Sequence, residues 1–566
     1  MATSLIVPGV RVEARFDILP PLPSPAGIVG VVGIVDRPTA DGSLVGVSKL
    51  AELRDVLGPG TAVTMPEAVH ALGNGASEIV VAPVLGGAAA RLTLDNRDGA
   101  DAVLLRCRSA GDWANGRLAV EVRESTDALG EPLRVTLRIL RDGAVVETHS
   151  DLRVAPGEAD DLFGTLNRAS SHVVALDPGI AGATAAPADA TFDPNAEAVE
   201  LPVKNAANKV LAILVPAEGA DATGLRVVLT VPASGISIDV HQNGLQESFR
   251  GLSLDPDSEQ YLPFVLATRS AYLRARGATT LTGTDALPAA TAAPQPFADG
   301  ASPGVDAYVT AVDRLADDTR VDLILAAIEP TRTTAEVRQI HQALVAHAVA
   351  MSDQGAPRIA FGAVTAEEQK KIADVRDHAS VARNRRFVLV SPAGAAGAVA
   401  GMVGRLNPQD APTFKSVPLF GTPPAAYRES ELNVLLGPTV NACVVADRRG
   451  RGVIVLKGID TTGDQISVTR VADQAVRETK AIAENFIGSL NTDSARVALK
   501  AQLVATFTRM ERAGALVPST DGSDPAFIVD VYSTQQDFAQ GIIRIDIAVR
   551  PVRAIDYVYA TIRVKN

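Results

Sequence analysis

Seven histidines are the residues of this chain best suited to acid–base or metal chemistry: His70, His149, His172, His241, His341, His347 and His378. A zinc-type helix pair needs a spacing of three or four, which puts both rings on one face. His341 and His347 share a predicted helix but stand six positions apart, on different faces. The histidines are therefore expected as solvent-facing polar residues. Gly394, Gly397, Gly401 and Gly404 follow an apolar run, where a dinucleotide-binding turn would place its glycines. Their spacing is not G-x-G-x-x-G and no P-loop Lys-Ser/Thr is present. A helix of small residues packed closely on a sheet is the simpler expectation. No D-x-D-x-D-G loop supports calcium binding. Cys107 and Cys443 fall in no metal spacing and need no disulfide framework, which suits a reducing compartment. No catalytic residue, cofactor or metal is expected.

Composition describes an ordinary folded protein. A chain of 566 residues predicts about two to four domains. A hydrophobic fraction of 47% and a charged fraction of 21% are those of a folded protein, with cores built mainly from Ala, Val and Leu because aromatics are only 4%. The net charge of −12 argues against general nucleic-acid binding. No basic region followed by an apolar one opens the chain, so no secretory signal is read there. The longest uncharged stretch, Phe387 to Gly404, raises the question of membrane insertion. Pro392 and the Gly/Ala content after Val390 make it a buried strand and a small-residue helix instead.

The elements that would position such residues follow from periodicity. Ile28 to Val35 and Glu78 to Val84 read as buried strands around short helices at Lys49–Leu57 and Met65–Asn74. Short alternating strands with turn signals such as Asp142-Gly143 dominate residues 91–250, as one or two β-rich insertions. The α/β pattern returns with strands at Val321–Ile328, Arg358–Val364 and Arg386–Val390. Helices at Thr334–Ser352, with Thr334 as N-cap, and Glu367–Ala382 separate them. Strands at Asn441–Ala446 and Gly452–Leu456 flank the basic turn Arg448, Arg449, Arg451. Helices at Val471–Leu490 and Asp493–Ala513 and strands at Ala526–Tyr532 and Gly541–Arg550 complete the body. The apolar stripe of the Asp493 helix is read as Val497, Leu503, Val504, Phe507 and Met510. No internal repeat of 20 to 50 residues is visible.

Both chain ends read as lone strands. Val10, Val12, Ala14 and Phe16 alternate with Arg11, Glu13, Arg15 and Asp17, ahead of a proline-rich linker. Val558, Ala560, Ile562 and Val564 alternate at the other end. A terminal strand without a hairpin partner has unpaired N–H and C=O groups that seek a sheet edge, including one on another subunit. Gly541 to Arg550 is the natural recipient, with Ile543, Ile545, Ile547 and Val549 on one face and Pro551 ending the strand. The fold class read from all this is α/β and α+β multidomain. An α/β core (26–90 and 251–410) carries a β-rich insertion (91–250), and a mixed C-terminal assembly domain (411–552) follows. Strand arms, the first with its linker, lie at 1–25 and 553–566, free to pair with a sheet edge on another subunit.

Several runs resemble one family, the contractile tail sheath proteins. Pro8-Gly9-Val10-Arg11-Val12-Glu13 is similar to its PGV-hydrophobic-VEE opening, and Val31 to Val35 to its first buried strand. Gly111-Asp112-Trp113-Ala114-Asn115-Gly116 resembles its G-x-W-G-N signature, with Ala114 in place of glycine. Ala400 to Arg405 with Ala411-Pro412 resembles its AG-x-x-A helix, and Val549 to Asp556 its P-V-R-P-A-E run. The matches occur in the family's order from residue 8 to residue 564.

The resemblance implies a structural, non-enzymatic subunit of a phage tail or phage-tail-like injection particle, assembled in the bacterial cytoplasm as stacked, sixfold rings. Its implied partners are further copies of itself, an inner tube protein, a baseplate, and tail-terminator or cap proteins. Nucleic acid and direct membrane insertion are not among them. The family's core has a subtilisin-like or related α/β topology, but no matching Asp, His and Ser motifs occur here. Arg496 and Lys500, one turn apart on the Asp493 helix, are candidates for contact with the inner tube, and Arg448, Arg449 and Arg451 are rivals for that role. A non-contractile shell protein and a nucleotide-dependent α/β enzyme stay open as alternatives.

Overall fold

The computed structural model describes residues 27–556, apart from 40, 127–131, 156–157, 179, 181–184, 194–198, 218, 257, 259, 278–285, 422 and 425. The N-terminal arm, the proline-rich linker and residues 557–566 of the C-terminal arm lie outside the described residues; residues 553–556 are described and belong to no strand. The chain divides into two compact units, one within Ala26–Ile466 and one within Ser467–Ala554.

The first unit begins with β1 (Ile28–Gly33), β2 (Val45–Val47), α1 (Leu50–Leu57), α2 (Thr61–Thr64), α3 (Pro66–Gly73) and β3 (Glu78–Pro83). A β-rich stretch follows: β4 (Arg91–Asp95), β5 (Asp101–Cys107), β6 (Leu118–Thr126), β7 (Pro132–Arg141), β8 (Ala144–Leu152), α4 (Leu162–Ala169) and β9 (Val173–Leu176). It continues through β10 (Ala188–Thr191), β11 (Leu201–Lys204), β12 (Val210–Pro216), β13 (Arg226–Thr230), β14 (Ile236–His241), β15 (Leu245–Leu252), α5 (Leu262–Arg269), β16 (Leu273–Arg276) and β17 (Gln295–Pro296). The chain then returns to α/β structure with α6 (Val305–Arg314), β18 (Leu323–Ala326), α7 (Thr334–Asp353), β19 (Ile359–Ala363), α8 (Ile372–Val381), β20 (Phe387–Ser391) and α9 (Ala396–Arg405). It ends with α10 (Glu429–Leu435), β21 (Cys443–Arg448) and β22 (Gly452–Val455).

The core sheet has the order β2-β3-β1-β18-β19-β20-β21-β22. Its six central strands are parallel, and the two edge strands run antiparallel to their neighbours. Parallel strands must be covered on both faces, which is why they read as unbroken apolar runs. Alternate residues of β1 serve two cores. Ile28 and Val32 join Tyr308, Ile340 and Phe387 on one face, while Val29 and Val31 join Leu53, Met65 and Val399 on the other.

Three expectations need correction here. Residues 411–466 do not belong to a C-terminal domain, because β21 continues the parallel ladder from β20 and carries β22 with it. The β-rich region extends past 250 through β16 and β17, whose partners are β12 and β6. The N-cap of α7 is Thr333, one residue earlier than predicted; its hydroxyl accepts from Glu336 N–H, and the Glu336 carboxylate returns the bond to Thr333 N–H in a capping box.

The Phe387–Gly404 stretch is a buried strand and a buried helix, as its composition predicts. Its glycines serve a closer contact than helix on sheet: α9 lies directly against helix α3. A Cβ at Gly397 would strike the Glu67 backbone, and one at Gly401 the Ala71 carbonyl oxygen. Neither backbone has room to yield without moving a helix. Gly401→Ala is expected to lower unfolding stability by about 1–3 kcal/mol, read as a lower denaturant midpoint; an unchanged midpoint would show that α3 and α9 are not locked together.

The second unit holds α11 (Ile466–Glu484) from Ser467 onward, α12 (Asp493–Arg512), β23 (Phe527–Tyr532), α13 (Gln535–Ala539) and β24 (Arg544–Val549). Its core joins Val471, Ala475 and Ile482 of α11 to Leu503, Phe507 and Met510 of α12 and Val529 of β23. The buried face of α12 is Leu499, Leu503, Thr506, Phe507 and Met510, a spacing that keeps one side of a helix. Val497 and Val504 fall outside it, and Val497 is 68% exposed, so the predicted stripe is corrected at those two positions.

Candidate functional site

The histidines are fold elements, and the expectation that they face solvent is overturned for four of them. His70, His341, His347 and His378 are buried. His70 bridges two backbone carbonyls, Gly394 O at 3.1 Å and Phe420 O at 2.8 Å. His378 Nδ1–H donates to the Glu368 carboxylate at 2.9 Å, and its other ring nitrogen lies 2.8 Å from Nδ1 of His341. Arg338 closes this chain with an ion pair to Glu368 at 2.8 Å. Burial, and then the neighbouring His378, hold His341 well below the usual imidazole range. Arg358 donates to Nε2 of His347 at 2.6 Å. Burial, with Arg358 beside it, pulls His347 down to about 4.

A second cluster sits on the β-rich region. Glu147 accepts from His172 at 2.7 Å, His149 at 3.1 Å and Ser171 N–H at 2.9 Å. Burial works to raise this carboxyl, but hydrogen bonds from His149, His172, Ser170 and Ser171 outweigh it and hold it below the usual range. Among the described residues no group of three His, Cys, Asp or Glu could hold a metal ion. Both cysteines are buried free thiols, and burial raises Cys107 and takes Cys443 up to about 12. Among the described residues no helix is long and apolar enough to cross a membrane.

The predicted recipient strand is the outstanding feature of the second unit. β23 and β24 form a two-stranded antiparallel sheet. Val549 stands opposite Phe527, Ile547 opposite Val529 and Ile545 opposite Val531. Arg550 N–H donates to Ala526 O at 2.9 Å, just past the end of that ladder. Bonded and non-bonded pairs alternate in antiparallel sheets. Ile545, Ile547 and Val549 therefore direct their own N–H and C=O groups away from β23. Among the described residues no strand takes them up. The side chains of Ile543, Ile545, Ile547 and Val549 pack against the core of this unit yet stay only partly buried, so the face is half covered beside an open edge. The other predicted strand residues (Val10, Val12, Ala14, Phe16, Val558, Ala560, Ile562 and Val564) lie outside the described residues.

The two cationic candidates fall in different units. On α12, Arg496 donates to Asn491 Oδ1 at 2.6 Å and pairs with Asp493, while Lys500 pairs with Asp530 at 3.3 Å. The other three lie at the β21–β22 turn. Arg448 faces Glu429 at 3.8 Å, the Arg451 guanidinium stands 5.3 Å from the Phe414 ring centre, and Arg449 is exposed. Periodicity missed the exposed apolar residues of the α11–α12 connection, Ile487 at 82% and Leu490 at 81%; the only signal was two large apolar residues between helices.

Taken together, this is a mixed α/β multidomain protein with several sheets and an unfinished sheet edge near its C-terminus. Residues 460–565 of the chain match the family model of the phage tail sheath C-terminal domain. Among solved structures it is similar to the sheath tail protein of Desulfitobacterium hafniense, at 13% identity over 97% of both chains and a TM-score of 0.45. It is similar to the sheath tail protein Lin1278 of Listeria innocua at 11% identity, over 94% of this chain and 92% of that one, with a TM-score of 0.45. The helical sheath of the anti-feeding prophage in its contracted state is 16% identical over 45% of this chain and 74% of that one, with a TM-score of 0.36. No curated protein sequence matches.

The buried imidazoles make stability depend on pH. His347 binds its proton less readily when folded, at about 4, than unfolded, at about 6.5. Its contribution is complete above the unfolded value and is lost as pH falls from about 6.5 toward 4. Lowering pH from 7 to 5 is expected to cost on the order of 1–3 kcal/mol through this group. Urea titrations at both pH values should show the loss, and His347→Gln should flatten it; an equal slope in that variant would assign the effect elsewhere.

Proposed function

We propose that this chain is the structural, non-enzymatic subunit of a contractile sheath, assembled as stacked sixfold rings in which each subunit is tied to its neighbours by exchanged strands.

 In that arrangement the arm strands at residues 1–17 and 553–566 add to the open edge of β24 in other copies, and the rings stack around an inner tube. The observation that carries this reading is the outward-facing backbone of Ile545, Ile547 and Val549, inside a segment matched as a phage tail sheath C-terminal domain. An arm paired over six to eight residues would add backbone hydrogen bonds worth about 0.5–1.5 kcal/mol each. The apolar faces Val10, Val12, Ala14 and Phe16 or Val558, Ala560, Ile562 and Val564 would complete the cover over Ile543, Ile545, Ile547 and Val549.

The extended lattice is then a metastable state in which linked bodies can turn while the strand links persist. A baseplate trigger releases it into a contracted lattice with more buried surface, and the tube is driven through a target envelope. The free energy is stored in assembly, so no nucleotide or other cofactor is needed. Further partners are a terminator or cap protein, and assembly takes place in the bacterial cytoplasm. Inner-tube contact is assigned to Arg496 and Lys500, which lie in the matched domain, ahead of Arg448, Arg449 and Arg451, which precede it.

Electron microscopy of the purified chain, alone and with its tube protein, tests the linking role. The intact chain is expected to form hollow, striated tubes, and deletion of residues 1–17 to abolish them. Ile547→Pro removes one outward N–H donor without touching a bond to β23. It should leave thermal unfolding of the chain within a few degrees and still block tube formation. Tubes formed equally well by both variants would overturn strand exchange at this edge. For the inner tube, Lys500→Glu should weaken co-sedimentation with tube protein at least tenfold while Arg449→Glu leaves it unchanged; the reverse pattern would move the contact to the β21–β22 turn.

A further inference from the structure

The β-rich region carries one architecture twice. A three-stranded sheet, β4-β5-β9, and a second sheet holding β6-β7-β8 accompany helix α4. The same chain order, five strands, a helix and a last strand, builds β11-β12-β16, β13-β14-β15 and α5. Each second sheet gains one outer strand, β17 beside β6 and β10 beside β13.

The likeness extends to single hydrogen bonds between residues whose numbers differ by one hundred. A parallel bridge joins Arg153 to Asp161, and another joins Ser253 to Tyr261. Ser170 Oγ accepts from the N–H groups of His172 and Val173 at 3.1 and 3.0 Å, and Ser270 Oγ from those of Tyr272 and Leu273 at 3.2 and 2.9 Å. Glu147 accepts from Ser171 N–H at 2.9 Å, and Glu247 from Ala271 N–H at 2.6 Å. Side-chain packing alone would not reproduce these local clamps at a constant offset.

The two copies touch in series. Leu104, Val174 and Leu176 turn the outer face of the first three-stranded sheet into the core that contains Phe264 and Val265 of α5. The Arg106 guanidinium lies 4.3 Å from the centre of the Phe264 ring and donates to Ser258 O at 2.9 Å. On the second sheet, Arg274 and Arg276 occupy the positions of Val174 and Leu176, with Ile213 opposite Arg276 as Leu104 is opposite Leu176. Arg276 pairs with Glu200, and Arg274 donates to the Ser270 carbonyl at 2.7 Å. Helix α4 has Gly164 and Thr165 where α5 has Phe264 and Val265, so only the second helix carries a docking surface. A polar outer face is what a terminal repeat requires.

We propose that the β-rich insertion is a tandem duplication of one module, that the second module docks its helix α5 on the sheet of the first, and that Arg274 and Arg276 close the outer end of the series. Hydrogen exchange of the full chain tests this. Val174→Arg with Leu176→Arg is expected to speed exchange in Leu262–Arg269 at least tenfold while β18 of the core stays protected. Arg276→Leu, on the closing face, should leave α5 exchange within twofold of the native chain. Unchanged α5 exchange in the first variant would overturn the docking, and so would equal acceleration in the second. Loss of β18 protection along with α5 would overturn the modular reading. The milder Val174→Ala with Leu176→Ala, which adds no charge, is expected to speed α5 exchange to a smaller degree, and no change there would count against the interface.

Discussion

A strand that is parallel to its neighbours and buried on both faces has no solvent side, and the core of this protein is organised by that constraint. Each of the six central strands must be apolar at every position, each crossover must return over a face, and helices must cover both. The two cores on opposite sides of β1 follow from it. So does the contact of α9 with α3, where glycines let two helix backbones meet over the sheet. Additional structure can enter only where a crossover leaves the sheet, and the β-rich modules occupy the excursion between β3 and β18.

The second unit obeys the opposite condition. Among the described residues its sheet has two strands, one face packed on α12, and an edge whose backbone groups point outward. Isolated two-stranded sheets are marginal in water, and an apolar edge strand is a template for pairing. The half-buried isoleucines of β24 are neither a finished core nor a polar surface, which is the character expected of a place where another strand belongs.

Much of this was legible from the chain, because period-two and apolar-run patterns report burial directly. The buried strands at Ile28, Glu78 and Phe387 and the alternating face of β24 appear where periodicity puts them. The histidines were not legible, since a polar side chain buried against a partner distant in sequence, as His341 is against His378, has no local signature. The stripe of α12 failed for a related reason: Val497 and Val504 are as apolar as Leu499, and only the positions of α11 and β23 decide which side faces in. The duplicated module escaped because its period, near one hundred residues, is carried by hydrogen-bonding geometry and a few residues such as Ser170 and Ser270.

The two cysteines have a practical meaning. Both thiols are enclosed, and burial disfavours the thiolate that would react with an electrophile. The folded chain is thus expected to react only slowly with maleimides. A single cysteine introduced on any exposed loop would carry a fluorophore or spin label alone, turning each copy in an assembly into a distance reporter without first stripping the protein of its own sulfur.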